Sequence, residues 1–204
     1  MDKIKNIIFD LGGVILNIDY QLTANAFKNL GISDYDKLYT QFQQIDVFDK
    51  LETGKISPKE FYKQIRELSG INISDKEIED AWNAMLLDFP VERLEFLSSI
   101  KNKYRLFLCS NTNEIHLKFY NKVLQDTFGI SSLGDIMEKE YYSHIVEIRK
   151  PDKEIFELII DENKLTPAET LFIDDSPQHI EGAKLTGLQT IHLQAGMSIL
   201  DLGL

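Results

Sequence analysis

The chain has 204 residues, 43% of them hydrophobic, and a formal net charge of -11. That length supports one large domain, or one domain with an insertion, and a sizeable core. So acidic a chain lacks the electrostatic footprint of a nucleic-acid or anionic-membrane binder, and any phosphate site in it must be locally cationic.

A single cysteine, Cys109, excludes an intramolecular disulfide and fits a reducing compartment. The charged start, MDKIKNIIFDL, does not read as a signal peptide. No apolar run approaches the ~20 residues of a membrane span. A soluble cytoplasmic protein is the expectation.

The first apolar run, NIIFD (6–10), reads as a buried strand that ends in Asp10 and runs into Gly12 and Gly13. From about Asp19 to Phe89 only helices are expected, about four. Ser57-Pro58 and Ser74 open two of them with capping signals. Phe42, Phe48, Phe61 and Trp82 are expected to pack together inside this block. PVERLEFLSSI leads into a second strand, YRLFLCS (104–110). IMEKEYY is a weaker strand candidate. PDKEIFELII predicts a helix, TLFID (170–174) a strand, SPQHIEGAKLTG a helix and QTIHL (189–193) a last strand. One strand, a helical block and then alternating strands and helices predict a doubly wound, Rossmann-like parallel sheet with a helical insertion after strand one. Residues 1–18 and 90–204 form the expected α/β core, and 19–89 the expected cap.

The strand ends carry the chemistry. In a parallel sheet, Asp10, then Ser110 and Asn111, then Lys150, then Asp174 and Asp175 would converge on one crevice. Three neighbouring carboxylates call for a cation or a proton, and Mg²⁺ with oxygen ligands is the natural partner. Ser110 offers a hydroxyl, and the helix that NTNE can start offers backbone N–H groups to an anion. Lys150 supplies a point charge. Gly12 and Gly13 let the backbone approach a ligand, which makes Gly13 a phosphate-contact candidate. A carboxylate nucleophile, a metal, a lysine and helix-end amides describe phosphoryl transfer through an aspartyl-phosphate.

FDLGGV, CSNT, RKPD and FIDDS, in this order and spacing, resemble the four motifs of the haloacid dehalogenase superfamily. The helical block resembles its C1-type cap, and the chain as a whole its bacterial α-glucose-1-phosphatase-type subgroup. The resemblance implies that Asp10 is the nucleophile and a Mg²⁺ ligand, with the Gly12 carbonyl and Asp174 as further ligands. It implies that Asp175 holds the metal directly or through water, that Ser110 and the Asn111 amide bind phosphate, and that Lys150 stabilises both. Most phosphatases of the superfamily carry a second aspartate where this chain has Gly12, so the acid/base that position supplies is absent. Glu147 stands where relatives often have glycine.

The sequence thus predicts a Mg²⁺-dependent hydrolase of a small phosphorylated metabolite, a sugar phosphate by resemblance. The alternatives are a catalytically weakened binding or regulatory protein on the same fold and a phosphomutase. Tyr20, Asp46 and Glu52 are the expected specificity contacts from the cap. The four histidines show no ligand spacing and are expected to be structural or exposed, with His144 a weak acid/base candidate. Cys109 is expected to be a buried, inert thiol.

Overall fold

The structure, a computed structural model, describes residues 3–32 and 46–204. Five parallel strands form one sheet: β1 (Asn6–Phe9), β2 (Arg105–Ser110), β3 (Lys139–Tyr142), β4 (Thr170–Asp174) and β5 (Gln189–His192). Their order is β3-β2-β1-β4-β5. β1 lies at the centre, with Ile7 paired to Leu106 on one side and to Leu171 on the other. The order reverses direction between β1 and β4, and such switch points open a crevice at the carboxyl ends of the strands.

The continuous apolar runs reflect burial on both faces. Ile7, Phe9, Leu106, Leu108 and Ile173 join one cluster, packed with the helices Val91–Ile100 and Glu114–Phe128. Ile8, Phe107, Cys109 and Phe172 point the other way, onto the helices Lys153–Asn163 and Pro177–Lys184. Each such Ile or Phe contributes roughly 1.5–3 kcal/mol of transfer free energy. The edge strands β3 and β5 are the exceptions and are only partly covered.

A third cluster belongs to the helices Tyr20–Asn29, Asp46–Glu52, Pro58–Ser69 and Asp75–Asn83. Phe48 stacks on Trp82 with centroids 4.9 Å apart, and Phe61 meets Trp82 at 5.2 Å. Phe42 lies outside the described residues. The predicted caps form: Ser57 Oγ accepts from the Glu60 amide, and Ser74 and Glu77 make a reciprocal box. Among the described residues of the sheet-bearing part, Ile115 joins this third cluster.

The two chain segments that join the helical block to the sheet pair with each other. Asn17 N donates to Asp88 O (3.0 Å), Leu87 N to Asn17 O (3.0 Å) and Asp19 N to Met85 O (2.9 Å). Arg93 Nη1 donates to Asn17 Oδ1 at 3.0 Å and braces this ribbon from the helix that follows it. No helix among the described residues is long and apolar enough to cross a membrane.

Candidate active site

β1 ends on Asp10, β4 ends on Asp174 and Asp175, and the loop after the short helix Ser143–Val146 ends on Lys150. Lys150 Nζ donates to Asp10 Oδ1 (2.5 Å) and to Asp174 Oδ2 (2.7 Å), and Lys150 is fully buried. Burial opposes its charge, yet the Asp10 and Asp174 carboxylates outweigh that and hold its pKa above the usual lysine value. The three carboxylates offer oxygens that all lie within 4.8 Å of one another.

Their environments differ. Burial raises the Asp10 carboxyl, against the pull of Lys150. Burial acts on Asp174 too, but Lys150 and a His179 hydrogen bond win and hold it at about 2. Burial, with the charges of Asp10 and Asp174, pushes Asp175 up to about 7. One lysine does not neutralise this group. All donors are hard oxygens, and the cluster fits a divalent cation such as Mg²⁺.

The backbone around the acids is tailored to them. Ser176 N donates to Asp174 Oδ1 at 2.7 Å, and His179 Nδ1 lies 3.0 Å from both Asp174 oxygens. His192 Nε2 donates to the Asp175 carbonyl at 3.0 Å. Asn111 exchanges two hydrogen bonds of 2.9 Å with the Lys150 backbone, so its side chain fixes the lysine's loop.

Asp10, Gly12, Ser110, Asn111, Lys150 and Asp175 line a cavity of about 440 Å³, together with Tyr20 and Glu52 from the helical block. The side chain of Asp46 lies outside the described residues. His144 is absent from that wall. Cys109 is fully buried and its thiol is pushed up to about 12, so the thiolate is suppressed.

Two expectations need correction. Gly13 is not on the cavity wall, and its N–H is already donated to Leu16 O at 2.8 Å, so it has no amide left for a phosphate. Its role is spatial. At φ +75°, a Cβ on Gly13 would stand 2.2 Å from Asp175 Oδ2. The helix start after Ser110 is also less open than NTNE suggests. Asn113 Oδ1 accepts from the Ile115 and His116 amides, and the Thr112 amide goes to Ser143 Oγ.

Sequence reasoning missed Arg149, Asp49, His179 and His116, all of which line the cavity. His116 stacks on Trp82 at 5.1 Å, and its Nδ1 donates to Asn83 Oδ1 at 2.9 Å. Burial pushes it down to about 3, which keeps it neutral. It is structural, as expected, and also joins the helical block to the wall. His179 was legible only as a residue one turn into the helix after FIDDS. The pairing of Arg149 with Asp49 spans 100 positions and left no local trace.

A family model described as haloacid dehalogenase-like hydrolase matches residues 4–187. The chain belongs to this hydrolase family. The hydrolase is 34% identical over 193 residues to the D-ribitol-5-phosphate phosphatase of Bacteroides thetaiotaomicron, covering 95% of this chain and 93% of the relative. It superposes with a TM-score of 0.93 on a haloacid dehalogenase family enzyme from the same species, at 36% identity and 98% coverage of both chains. That crystal structure is of an aspartate-to-alanine variant in complex with magnesium and inorganic phosphate. A second neighbour, a predicted hydrolase of this family from Porphyromonas gingivalis, superposes with a TM-score of 0.86 at 31% identity, covering 95% of this chain and 93% of that one.

Proposed function

We propose that this hydrolase is a Mg²⁺-dependent phosphatase acting on a small sugar or polyol phosphomonoester through an aspartyl-phosphate on Asp10. Residues 1–18 and 90–204 serve as the catalytic core and 19–89 as a C1-type cap. The observation that carries the reading is the buried Lys150 bridge between Asp10 and Asp174, with Asp175 alongside. Metal and phosphate in a similar enzyme, and a similar phosphatase of a polyol phosphate, support it.

Asp10, Asp174 and Asp175 would hold Mg²⁺, with the Gly12 carbonyl as a further oxygen. When bound, the ion neutralises charge on the phosphoryl oxygens. The Asp10 carboxylate attacks phosphorus, the bond from phosphorus to the alcohol oxygen breaks, and that oxygen takes a proton from solvent water. The acyl phosphate so formed is then hydrolysed by water, which returns Asp10 and releases phosphate. Lys150 favours the ionised form of Asp10 against the effect of burial and adds positive charge beside the transferring group. Asn111 holds Lys150 in register through its side chain, and Ser110 presents its hydroxyl to the phosphate. A Cβ on Gly12 would lie 3.1 Å from Ile18 Cδ1, a tight contact with the end of a flexible side chain.

Phosphate release from a panel of sugar and polyol phosphates is the test. Wild-type protein with Mg²⁺ should release phosphate, and EDTA or Asp10→Asn should abolish it. Full activity of a purified, folded Asp10→Asn protein would remove the nucleophile assignment.

A further inference from the structure

Arg149 precedes the catalytic lysine, and its guanidinium is held by two carboxylates of the helix Asp46–Glu52. Nη1 lies 2.6 Å from Asp49 Oδ1 and Nη2 3.1 Å from Glu52 Oε2. Arg149 and Glu52 are enclosed, with side-chain exposures of 20% and 10%, and Asp49 is the open end of the clasp at 44%. The turn after that helix is seated firmly. A Cβ on Gly54 would stand 2.2 Å from the His144 carbonyl oxygen, on the segment that leads into Arg149. All three clasp residues line the reaction cavity.

We propose that this clasp selects substrates by charge. It admits a monophosphate whose remainder is neutral and hydroxyl-rich, and it turns away substrates with a second anionic group. The proposal rests on the phosphatase reading and names the kind of molecule the site takes.

The charges on the wall carry the argument. Asp10, Asp49, Glu52, Asp152 and Asp175 reach the cavity, against the cations Arg149 and Lys150. Lys150 and a bound Mg²⁺ serve the first phosphate. A planar guanidinium fork is the natural receptor for a second phosphate or carboxylate, but here two carboxylates already hold it. Among the described residues every lining cation is engaged, so a second anion meets Asp49, Glu52 and Asp152, and like-charge contact disfavours binding. Hydroxyl groups meet the opposite situation. They donate to the carboxylate oxygens and accept from the guanidinium, without adding charge.

Glycerol 3-phosphate and 3-phosphoglycerate form a matched pair, since a carboxylate replaces a hydroxymethyl group. With wild-type protein and Mg²⁺, kcat/KM should favour glycerol 3-phosphate by roughly tenfold or more, as expected for one added like charge a few ångströms from the acids. Asp49→Asn should shrink that ratio several-fold, mainly through the KM of the anionic substrate. Asp80→Asn makes the same charge change on the exposed outer surface, where Asp80 pairs with Lys76, and should leave the ratio at its wild-type value. Equal use of both substrates by wild type would overturn the proposal, as would equal shifts in both variants or no shift in Asp49→Asn. Calorimetric binding of the same pair to Asp10→Asn protein with Mg²⁺ reads the preference without turnover. Absent release with a retained binding preference would refute the phosphatase reading and keep the clasp; release without preference would do the reverse.

Discussion

The floor of the cavity and its helical roof are held together by different physics. On the floor, Lys150, Asp10 and Asp174 are buried charges that stabilise one another, and removing any one leaves the others exposed to a low dielectric. In the roof, Phe48, Phe61 and Trp82 form an aromatic cluster whose stability comes from packing and area. The same cavity thus has one wall that tolerates little chemical change and one that tolerates changes of shape. In the function proposed above, reaction chemistry belongs to the first and recognition to the second.

The largest effect should come from breaking the floor. Lys150→Met should abolish phosphate release and destabilise the fold by about 3–5 kcal/mol, because Asp10 and Asp174 lose their buried counter-charge. Urea unfolding beside a release assay checks both. A variant with native stability would mean that the two acids are already protonated together.

Breaking the roof should remove a similar amount of stability by another route. Trp82→Ala removes a fully buried side chain, and such truncations cost about 3–5 kcal/mol. Here the stability loss should come with a raised KM and a smaller change in kcat, since none of the floor contacts is touched. A kcat loss as complete as that of Lys150→Met would erase the distinction between the two walls.

The floor should also respond to pH and metal where the roof does not. Asp175 keeps its proton to about pH 7 when folded, against 3.8 in the unfolded chain. Between those values folding takes up a proton, so its contribution makes the metal-free protein less stable as pH rises from 4 to 7. Above pH 7 the ionised cluster is ready for Mg²⁺, and saturation at 100 times Kd should restore about 2.7 kcal/mol. Thermal melts at pH 5 and pH 8, with and without Mg²⁺, test this. A larger metal shift at pH 5 than at pH 8 would contradict it.

Two smaller substitutions sharpen the picture. Gly12→Asp meets only the flexible end of Ile18, so the protein should fold, with turnover equal to or above wild type. Total loss of turnover would show that the site requires a small residue at this position. Glu147 sits at φ 60°, a region that favours glycine. Glu147→Gly should therefore be neutral or gain up to ~1 kcal/mol in a melt, relief of strain being partly offset by a looser unfolded chain.

Much of this was written locally in the chain. β1, β2 and β4 announced themselves because strands covered on both faces are apolar without alternation, and Ser57 and Ser74 marked helix starts through their own hydrogen bonds. Asp10, Ser110 and Asp174 were legible because strand ends in such a sheet converge, whereas Lys150, expected at a strand end, reaches the site from a loop beyond β3 and the helix Ser143–Val146. The Arg149 clasp was not, since its strength depends on the helix Asp46–Glu52 being seated by Gly54, a contact made across the fold. The amides of Ile115 and His116 looked available because a sequence shows that Asn113 can cap a helix, but not that its oxygen takes both of them.

Gly13 shows how an absence can carry information. The position of Asp175 depends on a methyl group that is not there. In Gly13→Ala every acid would still be present, and an inventory of functional groups would find the enzyme complete. The defect would surface as a higher magnesium requirement, so a lesion in metal binding can arise at a residue with nothing to bind metal with.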